Sequence, residues 1–196
     1  MKTIYITALI FLSAFLSIPA QDSNTNTSHF GLKGGYSLAA VSFNGDGETG
    51  QRHGFHLGFY GESFLSNHFS MQVELLYAQQ GYKIEDGGGA FTQKIDYINV
   101  PLMLKPYLSN NLYLEVGPQV GLAISHKETF DDNFGVFDTS QEFDPQNFDW
   151  GINFGGGIKT DSGVSLGVRY HLGLGNIYDD GSPKNRVWQF SIGFDF

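Results

Sequence analysis

The chain has 196 residues, 16 % of them charged and 15 % aromatic, with 26 glycines, no cysteine and a formal net charge of −9. That length holds one domain, and low charge with many aromatics excludes a disordered chain. Eleven Lys and Arg in so acidic a chain argue against a nucleic-acid partner, which needs clustered cations. The absence of cysteine excludes disulfides, thiolate metal sites, cysteine nucleophiles and a cysteine-linked lipid anchor.

The first twenty residues predict a cleaved secretory signal peptide. Lys2 supplies a positive start, residues 4–18 are apolar, and Pro19-Ala20 precedes polar Gln21. An uncleaved membrane anchor is the other reading of this stretch. Residues 21–28 form a polar Ser/Thr/Asn linker, which leaves 29–196 as the folded domain.

From there, segments of period two alternate with turn-rich segments, as strands and their connections would. Expected strands are 29–39, 52–64, 69–82, 93–105, 112–125, 149–159, 164–174 and 188–196. Each pairs an apolar row with a small or polar row. In the last, Trp188, Phe190, Ile192, Phe194 and Phe196 alternate with Gln189, Ser191, Gly193 and Asp195. The connections after the second, fourth and sixth strands are short. Those at 41–51, 83–92, 126–148 and 175–185 are long. Pro101 and Pro118 interrupt two strands, and a bulge or bend is expected at each because proline removes a ladder donor.

Eight strands of roughly ten residues with alternating short and long connections predict an all-β fold. The expected architecture is an eight-stranded antiparallel up-and-down transmembrane β-barrel. A closed ring also removes the sticky edge that an aromatic final strand would otherwise present. The last strand is then expected to pair with the first. A soluble lipocalin-like barrel is the alternative. It is disfavoured because the second face is mostly Gly, Ser, Ala, Gln and Asn, which suits a narrow interior better than a solvated exterior. Tyr36, Tyr82, Trp150 and Trp188 are expected in interfacial girdles.

The same alternation sends Lys33, Glu62, Glu74, Asp96, Lys105, Glu115, Lys159, Arg169 and Asp195 inward. Buried charges must pair. The expected network joins Lys33 and Arg169 to Glu62, Glu74 and Glu115, as a structural plug rather than an ion path.

Several segments resemble the PorT-like outer-membrane barrels of Bacteroidota. They are Glu74-Leu75-Leu76-Tyr77-Ala78-Gln79-Gln80-Gly81, Tyr97-Ile98-Asn99-Val100-Pro101-Leu102 and Leu114-Glu115-Val116-Gly117-Pro118. A fourth is Tyr170-His171-Leu172-Gly173-Leu174-Gly175-Asn176-Ile177. The resemblance spans the mature chain and includes prolines where Pro101 and Pro118 stand. It implies a Gram-negative outer-membrane location reached through the secretory pathway. It also implies outer-membrane lipid as the surrounding solvent, and a C-terminal strand ending on Phe196 that is read by the barrel-assembly machinery.

The longest connection, 126–148, mixes acids with phenylalanines. Phe130, Asp131, Asp132, Phe134 and Phe137 are the candidate partner-binding residues, because exposed aromatics among charges mark contacts. Oxygen-rich loops can hold Ca²⁺, but the EF-hand spacing is absent and a solvated acidic loop is the plainer reading. Asp149 is read with this loop. A lipid-modifying enzyme would need a serine, a histidine and an acid. His126 follows Ser125 but on the opposite side of a strand, and His171 points inward beside Arg169. No phosphate loop, zinc signature or dinucleotide fingerprint appears. No cofactor, metal or catalysis is therefore expected. The sequence predicts an integral barrel with a plugged lumen and a structural, binding or envelope-assembly role through its outside loops.

Overall fold

The computed structural model describes residues 28–42, 49–86, 89–132, 135–137, 148–176 and 184–196. The expected signal peptide, and nearly all of the linker, lie outside the described residues. The strands are β1 (Ser28–Ser42), β2 (Gly50–Ser66), β3 (Phe69–Asp86), β4 (Gly89–Pro106), β5 (Leu112–Asp132), β6 (Gly135–Phe137), β7 (Phe148–Lys159), β8 (Val164–Gly173) and β9 (Lys184–Asp195).

Eight of these, all but β6, form a closed antiparallel ring. The ring closes where β9 meets β1, in register from Gly31↔Asp195 to Ser42↔Lys184. The amide of Phe196 donates to the carbonyl of Phe30 at 2.9 Å, extending that seam to the final residue. Short turns join β2 to β3, β4 to β5 and β7 to β8. They define a turn end of the barrel, and the long connections define a loop end. At the β7–β8 turn, Gly163 takes φ +82°, a left-handed conformation that glycine adopts without a Cβ penalty.

Successive side chains point to opposite faces of each strand, and burial follows that period. Phe59 is 60 % exposed and Leu122 55 %, whereas Arg169 is 1 % and Glu74 1 %. The fold is inside-out relative to a soluble barrel: the apolar rows face outward and the polar rows fill the lumen. A continuous apolar belt of this kind is far larger than the isolated patches tolerated in water. Hydrocarbon solvates it, because the closed ring satisfies the backbone internally.

Several expectations are revised. β3 and β4 run past the ring as a hairpin paired to Asp86↔Gly89, where a loop over 83–92 was expected. β5 continues to Asp132 and pairs with β6, so the stretch 126–148 is strand in part. No register shift falls at Pro101 or Pro118. The β3–β4 pairing skips the step facing Pro101, and the β4–β5 pairing skips the step facing Pro118, with register kept on both sides. The lost donor therefore costs a local gap and no extra residue. Register shifts lie instead at Gln51/His56, Phe64/Ser66 and Asp96/Tyr97. Asp96 alternates with inward Ile95 and Tyr97, so it belongs to the outward face. Tyr82 is 6 % exposed and packs in the lumen, whereas Tyr36, Trp150 and Trp188 face outward.

Candidate functional site

The alternation puts long polar side chains from most strands into a ring whose interior eight strands leave just wide enough for side chains to fill. In the half nearer the turn end these side chains are ionic. Arg169 of β8 sits between two carboxylates. Its Nη1 and Nη2 donate to Oε2 and Oε1 of Glu74, each at 2.7 Å. Its Nε and Nη2 donate to Oε1 and Oε2 of Glu115 at 2.8 and 2.9 Å. Both contacts are the two-pronged arrangement that suits a guanidinium. Lys33 Nζ adds a third cationic contact, 3.1 Å from Glu74 Oε1.

Glu62 belongs to a second group, not to the Lys33–Arg169 set expected from sequence. Its partners are Lys105 at 2.9 Å and Lys159 at 2.7 Å, with Ser70 and Tyr107 hydroxyls donating at 2.6 and 2.8 Å. Lys159 also reaches Asp195 Oδ2 at 2.7 Å, and Tyr60 donates to the other oxygen of Asp195. Gln72 links the groups, accepting from Lys105 at 2.8 Å and donating to Glu74. Lys33, Lys105, Lys159 and Arg169 thus balance Glu62, Glu74, Glu115 and Asp195. A neutral, fully hydrogen-bonded set is the form in which buried charge is tolerated. Inward parity alone marks all eight. Their division into two groups depends on strand stagger.

Toward the loop end the lumen is lined mostly by uncharged polar groups, with the carboxylate of Asp149 among them. Asn153 donates to Gln119 at 3.0 Å and meets His171 Nδ1 at 2.8 Å. His171 Nε2 stands 3.4 Å from Asp149 Oδ2, to which Asn185 donates at 3.1 Å. Asp149 is 4 % exposed, so it belongs to the lumen and not to the acidic loop. Its place two and four residues before inward Gly151 and Asn153 was the overlooked signal. Above this layer, Val41, Tyr82, Ile95 and Tyr97 pack together, with Ala123 against them.

Two further histidines, His56 and His126, have neutral partners on the lumen side. His56 meets Ser37 and Ser191 at 2.9 Å each. Both ring nitrogens are taken by serines, so no acid orients the ring as a nucleophile's base requires. Ser37 is fully buried besides. His126 Nε2 lies 3.0 Å from Gln93 Nε2, on the inward side. Among the described residues no three His, Asp or Glu side chains group as metal ligands.

Of the candidate partner-binding residues, Phe130, Asp131 and Asp132 lie on β5 and Phe137 on β6. Phe134 is outside the described residues. Register aligns Ile84, Phe91, Phe130 and Phe137 in one row across β3, β4, β5 and β6. The next positions align Glu85, Ala90, Asp131 and Val136. Sequence alone shows the phenylalanines but not this alignment.

The profile described as outer membrane protein beta-barrel domain matches residues 19–179. No curated protein matches the chain. Among solved structures, Neisserial surface protein A is similar with TM-score 0.56 and 15 % identity, covering 87 % of this chain and 99 % of that one. The attachment invasion locus protein Ail of Yersinia pestis is similar with TM-score 0.48 and 16 % identity, covering 89 % and 100 %. OprG of Pseudomonas aeruginosa gives TM-score 0.44 and 12 % identity, covering 88 % and 98 %. At these identities the likeness concerns the fold. The soluble lipocalin-like alternative is set aside, because an apolar exterior on a barrel of this family places it in a Gram-negative outer membrane. The chain belongs to the outer membrane protein beta-barrel domain family.

Proposed function

We propose that this outer-membrane barrel is a non-conducting anchor that presents the sheet formed by the loop-end extensions of β3, β4 and β5, with β6, to a protein partner outside the cell. The observation behind this reading is the row Ile84, Phe91, Phe130 and Phe137, aligned over four adjacent strands beyond the ring. Aligned aromatics next to acidic positions are the composition of a recognition surface. The lumen supports the anchoring half of the proposal. Its ionic cluster and the overlying apolar layer occupy the path a solute would take, and eight strands leave little beyond side-chain space.

The periplasmic end is then the turn end. Phe196 and the closing strand are what the assembly machinery would read during insertion. The resemblance to PorT-like barrels favours an envelope-assembly partner over a nutrient or ion. Co-purification from membranes tests the reading, comparing the intact chain with F130S/F137S and with a deletion of 133–147. The variants should keep wild-type heat-modifiable migration and lose a stoichiometric partner. A partner set unchanged in both would refute it.

A further inference from the structure

The six described cations outside the ionic cluster are Arg52, Lys83, Lys94, Lys127, Lys184 and Arg186. All of them lie on the loop-end portions of their strands. Two are set against each other. Lys94 of β4 and Lys127 of β5 are direct cross-strand partners, and both are exposed. Their flanking residues fix the side. Ile95 is 1 % exposed and paired with His126, and His126 meets buried Gln93. The lysines therefore project outward, away from the lumen. The register shift at Asp96/Tyr97 produces this. The inward row of β5 passes from odd to even numbers there, so Lys127 joins the outer face just beyond Leu122 and Ile124, which are 55 % and 58 % exposed.

Like charges directly opposite weaken a ladder. Among the described residues neither lysine has an ion pair. The carboxylate on the same face, Asp96, is two ladder pairs closer to the apolar belt and shares its field with Arg52. Two unpaired ammonium groups side by side, at the rim where hydrocarbon gives way to headgroups, form a seat for one multivalent anion. A phosphate placed between them turns repulsion into two charge-assisted contacts. Its attached acyl chains would continue down the belt over Leu122 and Ile124.

We infer that Lys94 and Lys127 form a binding site for the phosphate of an outer-leaflet glycolipid. The inference is independent of the protein-partner reading, because it concerns the lipid-facing side of β4 and β5.

The test uses the full chain extracted in mild detergent, with the unfolding midpoint followed by heat-modifiable gel migration. The probes are bisphosphorylated lipid A, its dephosphorylated form and inorganic phosphate. Bisphosphorylated lipid A should raise the wild-type midpoint and the other two should not. K94Q/K127Q should fold normally and weaken binding by at least roughly tenfold. K94E separates binding from folding. An opposite-charge pair should raise the lipid-free midpoint while abolishing the lipid-dependent rise. An equal rise with dephosphorylated lipid A or inorganic phosphate, or a K94Q/K127Q variant that responds like wild type, would overturn the assignment.

Discussion

Arg169 is the side chain whose loss the lumen should tolerate least. Replacing it with methionine keeps most of the aliphatic stem and removes only the charged fork. Four hydrogen bonds disappear, two to Glu74 and two to Glu115. Glu74 retains Lys33 at 3.1 Å and the amide of Gln72. Glu115, whose side chain is 3 % exposed, loses its ion-pair partner. One carboxylate charge is left uncompensated inside the barrel, and breaking a buried pair in this way costs about 3–5 kcal/mol. R169M should therefore lower unfolding free energy by that amount, measured by urea titration of the barrel in lipid vesicles with tryptophan fluorescence. Neutralising Glu115 as well, in R169M/E115Q, should recover most of the loss, because Lys33 still balances Glu74 and no buried charge is left unpaired. A loss in R169M below about 1 kcal/mol, the value of an exposed pair, would refute the reasoning. So would an R169M/E115Q variant no more stable than R169M.

Other consequences follow from the same geometry. At the closing seam, a Cβ on Gly35 would lie 1.9 Å from the carbonyl oxygen of Phe190. G35V should then prevent β1 and β9 from pairing, and the protein should lose its heat-modifiable band. A normally folded G35V would show that the seam can spread. D195N weakens the contacts with Lys159, Tyr60 and His29 and should destabilise by about 1–3 kcal/mol, detected as a lower urea midpoint with unchanged m-value. In planar bilayers the wild-type protein should give no large, stable conductance, and a steady open channel would contradict the blocked lumen.

Much of this was legible in the order of residues because a strand's two faces are read at period two. The Trp188–Phe196 row, the outward aromatics and the inward placement of Lys33, Glu62, Glu74, Glu115 and Arg169 all follow from parity alone. Parity fails where an extra residue enters. The shift at Asp96/Tyr97 moves Lys127 to the outer face, and composition does not announce it. Length is misjudged where polar residues still pair. The 83–92 stretch, with its glycines and acids, reads as a loop but pairs as a hairpin, because β-ladders need backbone partners rather than apolar side chains.

What the sequence determines by itself is which side of each strand meets hydrocarbon. That choice depends only on local alternation and on the unsuitability of an aromatic belt for water. Which charges meet is decided by the closed ring. Arg169 lies 95 residues from Glu74 and 54 from Glu115, and Glu62 goes to Lys105 and Lys159 instead. Those pairings are set by stagger between strands, a quantity that exists only once β9 has closed on β1. The same stagger aligns Phe91, Phe130 and Phe137 beyond the ring and sets Lys94 against Lys127 at its rim.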